Sequence, residues 1–158
     1  MKLSPLTSVF GLILNISPLS NDCCSQMISL QTGNGIVNIV ISKDTYVVDC
    51  TRLRAGMRIH AFYDSNAPVP LIFPPQYRAE VVAVATSGEQ VTITHFDRDL
   101  VASNGSLKLN IDNRTVIVTQ NGQRYDCNPG GNTLMVFYRT TTRSIPPQTT
   151  PRKIIVFC

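Results

Sequence analysis

Between Gly56 and Arg78 the chain reads G-M-R-I-H-A-F-Y-D-S-N-A-P-V-P-L-I-F-P-P-Q-Y-R, and this stretch constrains the fold more than any other. Its opening alternates, with Met57, Ile59, Ala61 and Tyr63 on one face and Arg58, His60 and Phe62 on the other, which is the period of a strand. Pro68, Pro70, Pro74 and Pro75 follow. Each fixes φ and lacks an amide donor, so the segment can neither join the middle of a sheet nor continue as a helix. Leu71, Ile72 and Phe73 within it are nevertheless strongly apolar. A stiff apolar loop has two outlets. It folds back as a plug over one end of its own core, or it stays outside and docks a protein partner, a second copy or an extended ligand.

The flanking sequence reads as further strands. Val9 to Ser17, Met27 to Gln31, a long run from Ile36 to Asp49 bent or bulged around Ser42 to Asp44, and Arg78 to Thr86 all carry strand signals, and Asn34-Gly35 marks a hairpin turn. Val91 to Phe96, Leu107 to Thr119 and Gly131 to Arg139 continue the pattern. No ten-residue window has apolar residues at helical spacing with matching caps, so the expected class is all-β.

The second half echoes the first. K-L-N-I-D-N-R-T-V-I-V-T, ending at Thr119, matches N-I-V-I-S-K-D-T-Y-V-V-D from Asn38, so that Thr45 falls on Thr115. Gly131 to Arg139 matches Gly56 to Asp64, which sets Phe62-Tyr63 on Phe137-Tyr138 and Asp64 on Arg139. Pro74-Pro75-Gln76 returns as Pro146-Pro147-Gln148, and Arg78 with Val81-Val82 as Arg152 with Ile155-Val156. An ordered series of matches broken by a variable loop is the mark of a duplication. The expected domains are 1–78 and 79–158, with strand 78–86 a candidate for sharing between them.

Composition narrows the function classes. Residues 1–78 hold six basic and four acidic side chains and residues 79–158 hold eight and six, so neither half has the charge imbalance of a dedicated nucleic-acid binder. A modest basic patch, Arg139, Arg143, Arg152 and Lys153, lies near the C-terminal end. Cys23, Cys24, Cys50, Cys127 and Cys158 are odd in number and lack zinc-ligand spacing, which suits a reduced, cytoplasmic setting better than a disulfide framework. Val9 to Ile16 is too short for a secretory signal, and nothing is long enough for a spanning helix, so no membrane partner is expected. No nucleotide, zinc-protease or nucleophile-elbow motif occurs, and His60 and His95 fall in different repeats with no nucleophile beside them. A catalytic site, a metal and a cofactor are therefore not expected.

Thr45 to Ala79, running T-Y-V-V-D, L-R-A-G-M-R-I and A-F-Y-D-S-N-A-P-V-P-L-I-F-P-P-Q-Y-R-A, resembles a group of small uncharacterised bacterial proteins with OB-like architecture. The resemblance implies two tandem OB-like Greek-key barrels and brings no activity or catalytic residue with it. The expected function is a non-enzymatic binding or assembly module that contacts a protein partner or itself. Its candidate surface is Phe62, Tyr63, Asp64, Pro70, Leu71, Ile72, Phe73, Tyr77 and Arg78. The alternative is single-stranded nucleic-acid binding, with Tyr46, Arg52, Arg54 and Arg58 adding stacking and phosphate contacts.

Overall fold

A computed structural model describes residues 5–158. They form strands, with one short 3-10 turn at Val48–Cys50 and no α-helix among the described residues. The chain divides into two compact units, 5–85 and 86–158.

In the first unit β1 (Leu6–Leu19), β2 (Asp22–Thr32) and β3 (Gly35–Ile41) form an antiparallel meander. After β4 (Tyr46–Val47), β5 (Arg58–Asp64) pairs antiparallel with both β1 and β6 (Gln76–Val84). β6 then runs parallel to β3, with Asn38 opposite Gln76 and Val40 opposite Arg78, so the sheet returns on itself as a ring. β4 also lies parallel to β6. Alternation sends Ile13, Ile28, Leu30, Ile39, Ile59, Ala61, Ala79 and Val82 into one buried cluster. Gly11 permits the close approach of β1 to β2, because a Cβ there would stand 2.4 Å from the Gln31 carbonyl oxygen.

The single bent strand expected over 36–49 is interrupted. At Ser42–Thr45 the Asp44 amide donates to the Ser42 hydroxyl and the Ser42 amide to the Thr45 hydroxyl. These local bonds compete with the ladder and turn the chain. The Thr45 hydroxyl in turn donates to the Ala79 carbonyl at 2.8 Å, which fastens the turn to β6.

The second unit contains β7 (Gln90–Phe96), β8 (Lys108–Leu109), β9 (Val116–Thr119), β10 (Asn132–Tyr138), β11 (Gln148–Thr149) and β12 (Lys153–Phe157). The order of its main sheet is β7-β10-β12-β9, and β8 pairs parallel with β11. Phe96, Ala102, Leu107, Leu109, Leu134, Val136, Ile154 and Val156 form its core.

Several pairings of the two units coincide. Asn38 opposite Gln76 becomes Lys108 opposite Gln148, and Tyr46 opposite Val81 becomes Val116 opposite Lys153. Phe62 opposite Val81 becomes Phe137 opposite Lys153. The Thr115 hydroxyl donates to the Pro151 carbonyl at 2.8 Å, as Thr45 does to Ala79. X-Pro bonds at Phe73–Pro74 and Ile145–Pro146 are both cis. These registers place Arg152 at the station of Glu80, not of Arg78 as the sequence match suggested.

The boundary also differs from the expected one. A division at 78/79 would cut β6, whose first residues are needed to pair with β3. β6 pairs with β3, β4 and β5 of its own sheet and serves no strand of the second. A turn closed by the Glu89 amide on the Thr86 carbonyl, with Gly88 at φ +76, separates it from β7.

Candidate functional site

The loop between β5 and β6 leaves the ring at a pair of aromatic side chains. Tyr63 near the end of β5 and Tyr77 near the start of β6 stack with ring centroids 4.1 Å apart and planes 14° from parallel. Burial, followed by the neighbouring Tyr77 hydroxyl, raises the Tyr63 phenol above its ordinary pKa. An Asp64 carboxylate oxygen accepts the Asn66 amide at 2.8 Å and starts the loop as a tight turn. At the far end the Pro75 carbonyl accepts the Asn38 amide, which fixes the loop to β3.

Between these anchors, residues 68–74 make no backbone hydrogen bond among the described residues. Leu71 is fully exposed, Phe73 is 92% exposed, and Ile72 and Val69 are about half exposed at 53% and 43%. Pro70 is exposed as well. The plug outlet is therefore closed, since none of these side chains covers a core. Val69 belongs to the patch as well, beyond the residues expected from the sequence. Its spacing of two from Leu71, and four from Phe73, is the signal that would have found it.

Phe62 departs from expectation. It retains 2% exposure, and Val81 and Ala83, whose side chains share its face, are buried too. Both faces of this part of the sheet are apolar and covered, so Phe62 is a packing residue and leaves the candidate surface. Asp64 is half-buried and Arg78 exposed. Arg78 lies near Asp22, whose carboxyl is held below the usual range by hydrogen bonds from Ser25 and the Cys24 amide, with Arg78 adding a smaller push.

The alternative residues do not gather into one surface. Arg52 and Arg54 line a shallow concavity of about 580 Å³ with Ile16, Ile41 and Leu53, whereas Tyr46 and Arg58 are not among its lining residues. Burial, with Asp49 and Cys50 nearby, pushes the Tyr46 phenol up to about 12. The β1–β3 face carries exposed Phe10, Leu14 and Ile36, and Asp22 is the one charged residue between 5 and 42.

The corresponding loop of the second unit is built differently. Ile145, at the station of Phe73, is also fully exposed. Around it, however, the Thr142 and Ser144 hydroxyls share a 2.6 Å hydrogen bond, the Thr142 hydroxyl accepts the Gln148 amide, and Ser144 donates to the Pro146 carbonyl. This loop satisfies itself with polar side chains that the first loop lacks. Of the ten exposed large hydrophobic residues among the described residues, eight belong to the first unit.

Among the described residues no group of three or more His, Cys, Asp and Glu is placed to hold a metal ion. All five cysteines are free and exposed. Among the described residues no helix is long and apolar enough to cross a membrane. Comparison with known proteins adds no relative: no family model, no curated protein and no solved structure matches this chain.

Proposed function

We propose that the chain is a non-enzymatic binding or assembly module whose loop, Val69 to Phe73 on its Tyr63–Tyr77 base, docks a protein partner or a second copy. The observation that carries this reading is the full exposure of Leu71 beside the 92% exposure of Phe73. Apolar side chains held in water cost free energy until something covers them, at roughly 25 cal/mol per Å² of apolar surface. Closely spaced prolines reduce the conformational freedom such a loop would lose on docking.

The architecture behind the proposal is a pair of OB-like units related by duplication. The ring of the first unit, with its three-strand meander and the parallel β3–β6 closure, supports that reading, as do the coinciding registers of the second. The single-stranded nucleic-acid alternative has weaker support. The aromatics nearest the loop stack on each other, and the β1–β3 face contains no cation.

The test is native mass spectrometry of the protein from its own host, with and without the triple substitution Leu71→Ala, Ile72→Ala, Phe73→Ala. A partner or defined oligomer lost on substitution, with circular dichroism unchanged, is the expected result. A monomer whose sole adduct is nucleic acid shed at high salt would move the assignment to the alternative.

A further inference from the structure

The second unit has a feature that its loop does not explain. Arg114, Arg139 and Arg152, brought together from the turn before β9, the end of β10 and the start of β12, line one concavity of about 450 Å³ with Thr140, Thr150 and Pro151. Sequence proximity groups Arg139 with Arg152 but gives no hint of Arg114.

Each guanidinium is held in place. The Arg152 Nε and Nη2 donate to the two oxygens of Glu89 at 2.7 and 2.8 Å, and the Glu89 side chain is only 2% exposed. Arg114 donates through Nε and Nη2 to one oxygen of Asp112. The Arg139 Nη1 donates to the Ser87 carbonyl at 2.9 Å, and among the described residues no ion pair links Arg139 to a carboxylate. Three guanidiniums against two carboxylates leave an excess positive charge in a recess. A guanidinium carries five N–H donors in a flat fork, so the Asp112 carboxylate on one edge orients Arg114 without exhausting it.

The first unit shows that this charge is not a property of the fold. At the stations of Arg114, Arg139 and Arg152 it has Asp44, Asp64 and Glu80, as the paired registers require. Three acids in one unit are three arginines in the other. Drift at exposed positions has no reason to invert the same three stations together.

We infer that this recess binds a phosphate-type oxyanion carried on a small molecule or on a nucleic-acid strand. A tetrahedral, doubly charged group accepts hydrogen bonds from donors arranged around it, and three forks from three elements with two threonines offer that arrangement; a flat carboxylate would use fewer of them. The site is independent of the apolar loop, which belongs to the other unit.

Calorimetric titration of the full chain at low ionic strength, with inorganic phosphate, pyrophosphate and a short oligothymidylate, tests the inference. Arg114→Gln and Arg139→Gln are the variants of choice, because Arg152→Gln would strand the buried Glu89 carboxylate and confuse binding with folding. Saturable binding that each variant weakens by about tenfold is expected, while Lys43→Gln, at an exposed cation of the first unit, leaves it unchanged. Binding of the two small anions identifies a small phosphorylated ligand, and binding of the oligonucleotide alone identifies a strand backbone. No binding of any of the three, or binding indifferent to both variants, overturns the inference.

Discussion

Phe62 and Leu71 lie nine positions apart and have opposite fates. Phe62→Ala removes a packed ring and is expected to cost about 3–5 kcal/mol, read as a lower urea midpoint with an unchanged slope. Leu71→Ala removes a side chain that touches nothing and should stay within about 0.5 kcal/mol of the parent. Tyr46 gives a second expectation at this scale. Burial holds its pKa at about 12 in the folded chain, above the ordinary tyrosine value of about 10. The folded state therefore holds the phenolic proton more tightly, and the associated stability is present below pH 10 and lost as pH rises through the folded value. Ultraviolet titration should show one tyrosine ionising near pH 12 and lose that phase in Tyr46→Phe.

The two threonines that fasten the turns before β4 and β9 test how far the units are equivalent. Thr115→Val deletes a 2.8 Å hydrogen bond to the carbonyl before β12 and should cost about 1 kcal/mol by denaturant titration, whereas Thr45→Val, which loses both the Ala79 bond and the Ser42 amide bond, should cost about 2 kcal/mol. Gly11→Ala is expected to cost about 1–3 kcal/mol, because the new methyl would press on the Gln31 backbone, which cannot yield as a side chain can. The strands were legible in the sequence wherever alternation met a turn signal, as in β5, β7 and β10, and the threonine match at 45 and 115 was legible too. The place of the break at Ser42–Thr45 was legible as a bend or bulge around Ser42 to Asp44, but not that the strand ends there, since a hydroxyl that ends a strand looks the same in sequence as one that decorates it. Nor was the fate of Phe62. Period two says which side of a sheet a residue faces, and it does not say whether that side is covered. The Leu71–Phe73 patch was visible as a candidate, but two outlets were open to it, and only exposure chose between them.

At the scale of the molecule, each unit has its own buried cluster, and each contains strands distant in sequence that run parallel. Pairing of this kind must pay loop-closure entropy before contacts return it, so folding on the millisecond-to-second range typical of non-local β topologies is expected in stopped-flow fluorescence. The five cysteines carry a further consequence. Free thiols are ordinarily among the most deeply buried side chains, yet here every one is at the surface. A maleimide dye should therefore label all of them in native buffer as completely as in denaturant. In air the protein would age by joining molecule to molecule, its interior chemically unaware of the change.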